Sequence, residues 1–253
     1  MRAALQRVIL DAAGFDPDTP KSVANLIAWY AADRITGLTD GAAVATWADL
    51  STSGAGNATQ ATGTVQPTYQ TTEVNGLPVV RSDASDDYMT IANTGSVLND
   101  ATISILAVIK TSSATGSPAI ISDWESAGGQ KGWFINLRVT TGRLTGQLDA
   151  DNFVPSTGPN LADGRPHVVS VTFNTATGVF RSDGANQMSN TFAGGATFGA
   201  SIALIGAISD GGTPAQLWTG DLAEVMVYSR VLNAGEISKL EKYLGEKWGV
   251  AVL

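Results

Sequence analysis

The sequence predicts an antiparallel two-sheet β-sandwich of the jelly-roll kind, on three observations. Short runs rich in Val, Ile and Phe alternate with Gly-, Asn- and Asp-bearing turns along most of the chain. Only one segment, near the C-terminus, has a strong helical period, so helices do not alternate with strands as a parallel sheet requires. The composition, 28 glycines in 253 residues with 15% charged, is that of many turns rather than of a helical bundle.

The elements are taken in chain order. Residues 1–22 read as an N-terminal arm and residues 23–253 as one domain. Leu5, Val8 and Ile9 recur at i, i+3, i+4, a short amphipathic helix. Pro17 and Pro20 separate that helix from the domain. The apolar stretch 8–10 falls short of a secretory h-region of about 7–15 residues, so no signal peptide is expected. LIAWYAADRI (26–35) opens the domain, and TWADLSTSGAGNATQ (46–60) runs into a loop. LPVVRSDASDDYMTI (77–91) gives two short strands about an Asp/Ser turn. ISILAVIK (103–110) is a buried strand. AIIS and GWFINLRV are strands, and DWESAGGQK between them reads as a loop. HVVSVTFNTATGVFRSDG (167–184) is a hairpin whose five-residue loop is 174–178.

The C-terminal segment GDLAEVMVYSRVLNAGEISKLEKYLGEKWGV (220–250) joins a strand to the helix. Alternation puts Ala223, Val225 and Val227 on one face, and Leu222, Glu224, Met226 and Tyr228 on the other. Asn233 caps the helix, with Glu236 completing a capping box. Ile237, Leu240, Leu244 and Trp248 form the apolar stripe, and Glu241, Lys242, Glu246 and Lys247 fall largely off it. Lys242 and Glu246 pair at i, i+4, and Gly249 ends the helix.

These segments together resemble laminin-G-like, concanavalin A-like jelly-roll domains over roughly residues 24–250. Residues 220–228 match that family's closing strand, G-x-hydrophobic-x-E-hydrophobic-x-hydrophobic-Y, and 232–237 its short helix start. LADGRPHVVSVTF (161–173) is similar to the D-G-x-W-H-H-V strand entry, without its tryptophan. RSDGA (181–185) resembles the Y-V-D-G turn. Residues 77–91 resemble the hydrophobic-F-D-G-x-x-D-Y strand, with Ser82 in place of Phe. Residues 26–60 resemble the opening strand and its loop.

Several chemistries are disfavoured by composition. A net charge of −8 without a basic stripe opposes nucleic-acid binding. No apolar run approaches the ~20 residues of a membrane helix. Without cysteine there is no thiol catalysis and no disulfide framework. One histidine, His167, leaves too few ligands for zinc, and no G-x-S-x-G elbow accompanies it. It reads as structural. The glucanases of the resembled family carry E-x-D-x-x-E on one strand. This chain has no such run, and Asp221 and Glu224 stand three apart, on opposite faces of a regular strand.

Two sites remain. An aromatic platform for a sugar is expected at Trp124 and Trp133, which flank a glycine-bearing loop, with Asp123 beside Trp124 and Asp210 in the SDGGTP loop near Trp218. Trp29, Trp47 and Trp248 are expected in the core. The resemblance implies calcium at a sheet rim. The oxygen ligands offered are Asp149, Asp151 and Asn152, with Asp83, Asp86 and Asp87 as a second acidic set. Both sets also suit plain polar turns.

The expected function is a non-catalytic, surface-displayed binding or structural module. One reading is a virion accessory protein, a phage capsid-decoration or tail component, that binds cell-surface glycans and docks onto other structural proteins through residues 1–22. Its expected location is the virion surface, since the chain combines an N-terminal arm with no signal peptide and no cysteine. The alternative is a secreted or cell-surface carbohydrate-binding module. A glycoside hydrolase is the third reading, disfavoured by the missing carboxylate run.

Overall fold

In a computed structural model of the chain, residues 15–52, 54–127, 129–149, 157–174, 177–187 and 202–253 are described in full. Residues 151–153 and 188–191 are described by their backbone alone. The predicted helix with Leu5, Val8 and Ile9 lies outside the described residues.

Two eight-stranded antiparallel sheets face each other, as expected. The first, the helix-side sheet, runs β14 (Ala185–Thr191), β13 (Thr177–Ser182), β12 (Pro166–Phe173), β7 (Ile103–Lys110), β18 (Thr219–Tyr228), β5 (Leu77–Asp83), β4 (Thr68–Val74). Strand β1 (Leu26–Ala31) pairs with the second half of β18. The second, the open-side sheet, runs β11 (Asp151–Phe153), β10 (Leu144–Leu148), β9 (Lys131–Leu137), β8 (Ala119–Glu125), β15 (Ile202–Ile205), β6 (Met89–Ile91), β3 (Ala58–Thr59), β2 (Thr46–Trp47). A hairpin of β16 (Ile208–Asp210) and β17 (Thr213–Ala215) pairs only with itself. DWES is therefore not a loop: β8 continues to Glu125. The β12–β13 loop is also shorter than predicted, because pairing resumes at Thr177.

The core fills the space between the sheets. Ile105, Ile109, Val169, Val171, Phe173, Val225 and Val227 meet Ile121, Trp133, Ile135, Leu144, Leu148 and Ile205 in one buried cluster. ISILAVIK is apolar nearly throughout because β7 is covered on both faces. Ile103, Ile105, Ala107 and Ile109 join the sandwich core, while Leu106 and Val108 meet helix α1 (Ala234–Trp248).

Helix α1 begins in the predicted capping box. The Asn233 side chain accepts from the Glu236 N–H, and Glu236 accepts from the Asn233 N–H. It ends at Gly249, in the left-handed region at φ 68°. Ile237, Leu240, Leu244 and Trp248 are buried on Trp29, Met226 and Tyr228.

Two expectations fail here, for related reasons. Strand β18 has an irregularity between Leu222 and Glu224 that shifts its register against β7. It turns Leu222 into the sandwich core and Ala223 towards the helix, the reverse of simple alternation. Glu241 and Lys247 are buried, not peripheral, because each has an ionic partner on the sheet beneath. Arg181 forks onto Glu241, and Ser170 donates to it.

Glu224 is fully buried and accepts four hydrogen bonds. They come from Trp29 Nε1 (2.7 Å), Tyr243 Oη (3.0 Å), Lys247 Nζ (2.8 Å) and Trp248 Nε1 (2.7 Å). Lys247 also meets Asp33 Oδ1 at 2.7 Å. A buried carboxylate is tolerated when its lone pairs are filled and a cation faces it.

The described end of the arm packs on this same side. Phe15 stacks on Tyr243, and Tyr228 Oη donates to the Pro20 carbonyl.

Candidate functional site

The helix seals one outer face of the sandwich, so the candidate site is the outer face of the open-side sheet. Cross-strand partners share a face, and the registers trace one row across it. Thr46 pairs with Thr59, Thr59 with Thr90, Thr90 with Leu204, Leu204 with Ser122, Ser122 with Phe134, and Phe134 with Gln147. Met89 and Ile91 face the core, so Thr90 faces out.

The row divides into two halves. Thr46 and Thr59 are exposed and Thr90 half-buried, a ladder of hydroxyls on strands about 4.8 Å apart. Tyr88, just before β6, is half-buried and lies two residues from Thr90. In the other half Leu204, Ser122, Phe134 and Gln147 are buried, with Ser122 and Phe134 under the β16–β17 hairpin.

The predicted platform residues separate accordingly. Trp133 and Asp123 pair across β8 and β9 and are wholly buried. Trp133 faces inward and donates from Nε1 to the Leu98 carbonyl. Trp124, the next residue along β8 after Asp123, turns to the opposite face. It is only 2% exposed, edge-on to Phe134 with ring centroids 5.0 Å apart, beneath Ile208. Asp210 is exposed at the hairpin tip, where it accepts from Ser126 Oγ. The structure thus brings Trp124 and Asp210 to one corner and moves Asp123 and Trp133 into the wall between the sheets. An exposed tryptophan platform is corrected: all six tryptophans are buried. Tyr88 was missed, although it stands in the quoted SDASDDY run.

The metal candidates are also unlike one another. Asp149 is left-handed (φ 50°) and accepts from the Gly132 N–H. The side chains of Asp151 and Asn152 lie outside the described residues. Asp83, Asp86 and Asp87 do converge, with carboxyl oxygens within 4.8 Å of one another. Burial pushes the Asp87 carboxyl up to about 6, with Asp83 and Asp86 adding to the rise against the hydrogen bond from the Asp83 N–H.

Acid–base candidates are held by partners. His167 meets Asp183 Oδ2 through Nδ1 at 2.7 Å and Asp163 Oδ1 through Nε2 at 3.0 Å, so both ring nitrogens are engaged. Burial lowers its pKa, but the two carboxylates outweigh that and raise it. Arg81 forks onto Asp221 and also meets Glu73. Glu224 sits under the helix, away from any surface a polymer could reach.

Comparison with known proteins agrees with this architecture. The Laminin_G_3 family model, described as the concanavalin A-like lectin/glucanases superfamily, matches residues 83–238, more than half of the chain. No curated protein matches. Among solved structures, the CBM40 of the Ruminococcus gnavus IT-sialidase is 11% identical, with a TM-score of 0.55 over 64% of this chain and 96% of that one. Domain 4 of AbnA, an extracellular arabinanase from Geobacillus stearothermophilus solved with arabinotriose, is 13% identical, with a TM-score of 0.60 over 86% of this chain and 98% of that one. A Trypanosoma rangeli sialidase is 16% identical, with a TM-score of 0.52 over 88% of this chain and only 33% of that one. At these identities the likeness is one of fold.

Proposed function

Because the chain belongs to the concanavalin A-like lectin/glucanases superfamily, we propose that it is a non-catalytic carbohydrate-binding module that uses the outer face of its open-side sheet. The observation that carries this reading is the uncovered Thr46–Thr59–Thr90 row beside Tyr88. Hydroxyls in a row offer donors and acceptors to sugar hydroxyls, and an aromatic ring with a polar tip offers an apolar face to a sugar ring. Two similar folds, a CBM40 and an arabinanase domain solved with arabinotriose, lend support. Asp163, Asp183, Asp221, Glu224 and Glu241 are held by cationic or histidine partners, which favours contact over hydrolysis.

A glycan array that includes arabinotriose and α2,3-sialyllactose tests the reading. A hit is expected to weaken about tenfold, roughly 1.4 kcal/mol, in Tyr88→Ala. Release of reducing ends from a bound polysaccharide, or a hit indifferent to both Tyr88→Ala and Thr59→Val, would overturn it.

Display on a virion is a second reading, favoured by one geometric observation. The arm meets the domain at Phe15 and Tyr243, on the helix side and opposite the open-side sheet. An anchor on one side and a binding face on the other suit a displayed module. Deleting residues 1–14 is expected to abolish docking to a larger assembly and leave glycan affinity within about twofold.

A further inference from the structure

The hairpin β16–β17 covers a surface whose composition is not that of a core. Trp124 and Phe134 point outward from the open-side sheet, edge-on to each other. Asn136, Thr145 and Gln147 stand on the same face of β9 and β10, while Ile135, Leu144 and Leu148 of those strands face the sandwich core. Thr145 donates to Asn136, whose amide in turn donates to Gln216 Oε1 at the hairpin's base and to the Ser117 carbonyl, while Gln147 bonds Gln130 and the Asp149 carbonyl. Rings bordered by amides and a hydroxyl are what a sugar site requires.

The hairpin is tied to the sheet at its base and latched at its tip. At the base the Gln216 carbonyl accepts from the Ala119 N–H at 2.7 Å, the Ile120 carbonyl accepts from the Gly206 N–H at 3.0 Å, and the Ala207 carbonyl accepts from Ser122 Oγ at 2.8 Å. Its strands form no ladder with either sheet. It contributes Ile208 to the apolar cluster, with Ala215 partly buried against it. Its tip is fastened by Glu125, which accepts from Ser209 Oγ at 2.8 Å and the Gly211 N–H at 2.9 Å, and by Ser126 Oγ donating to Asp210. The Gly211 and Ser126 bonds of this latch lie in exposed positions. Left-handed residues, Gly206 (φ 80°) and Gln216 (φ 50°), flank its two strands. Segments with few apolar contacts and exposed hydrogen bonds open at a lower free energy than the whole fold.

We propose that β16–β17 is a lid over a second carbohydrate platform, Trp124 with Phe134, and that it opens in the folded protein to let a sugar ring stack there. The ligand class rests on the glycan-binding reading; the opening does not.

Two measurements test it. Ser122 donates to the Ala207 carbonyl beneath the lid, and the chain has no cysteine, so Ser122→Cys adds a single reporter thiol. Its reaction with 5,5′-dithiobis(2-nitrobenzoate) is expected to run at least about a hundredfold faster than global unfolding permits. Labelling that tracks global unfolding across a urea series overturns the lid. Separately, Ser126→Cys with Asp210→Cys joins the two latch positions, and oxidation closes the lid. Binding of arabinotriose or α2,3-sialyllactose is expected to weaken at least about fivefold on oxidation and to recover on reduction. Equal affinity in both states overturns the platform while leaving the Tyr88 surface standing. If the thiol reacts freely but neither sugar binds in either state, the opening stands, and the platform falls together with the glycan reading.

Discussion

Helix α1 and the hairpin β16–β17 each lie on an outer face of the sandwich, but they are held by different interactions. The helix brings Ile237, Leu240, Tyr243, Leu244 and Trp248 onto the sheet and closes over a buried carboxylate with four donors. The hairpin brings Ile208 and Ala215 and is fastened by hydrogen bonds alone, neutral ones at its base and a latch at its exposed tip. Buried paired charges are costly to separate, because each partner is left desolvated. Exposed hydrogen bonds exchange with water at small net cost. The first cover is therefore part of the fold, and the second can be part of a binding cycle.

The sharpest way to break this contrast is to damage both covers. Glu224→Gln is expected to lose about 3–5 kcal/mol, because it sets an amide NH2 among four buried donors and leaves Lys247 with Asp33 as its one remaining carboxylate. Ile208→Ala is expected to cost less, about 1–3 kcal/mol, since its site can open to water. Urea unfolding of both variants measures the difference; a larger loss at Ile208 would reverse the argument. On the helix side, Asn233→Ala removes the cap and is expected to cost about 1 kcal/mol, seen as a lower melting temperature.

A pH series sharpens the contrast at the rim of the helix-side sheet. The His167 pKa is raised in the folded state, so its contribution to stability is fully present below about 6.5. It is lost as pH rises through the higher folded value. His167→Asn is expected to flatten the stability–pH curve in that window; an unchanged curve would show that the Asp163 and Asp183 contacts contribute nothing. The smallest effect belongs to Lys242→Ala. Its pair with Glu246, at 3.7 Å on the exposed helix face, is expected to be worth under about 0.5 kcal/mol in the same urea assay.

Local rules located the helix well. Asn233, Glu236, the Ile237–Leu240–Leu244–Trp248 stripe and Gly249 all act within one turn of their neighbours, and spacing reports such interactions directly. The same rules misjudged Glu241 and Lys247, whose partners, Arg181 and Glu224, are distant in sequence. They misjudged Leu222 and Ala223 because one bulge inverts the facing of everything before it. At the candidate site, Trp124 lies beneath Ile208 and Asp210 binds Ser126, so both come to one corner of the open-side sheet. No pattern in DWES, however, tells that a hairpin more than eighty residues later would cover the ring.

By itself, then, the sequence determined the strand-and-turn layout, the antiparallel sandwich and the capped closing helix, because these arise from short-range spacing and turn chemistry. Only the tertiary structure decided which face of each sheet meets water. That depends on what a distant segment lays over it: Glu224 is an ion beneath a helix, Trp124 a ring beneath a hairpin, and Tyr88 a ring left partly uncovered. Burial is set by pairs of segments, and a single strand does not encode its cover.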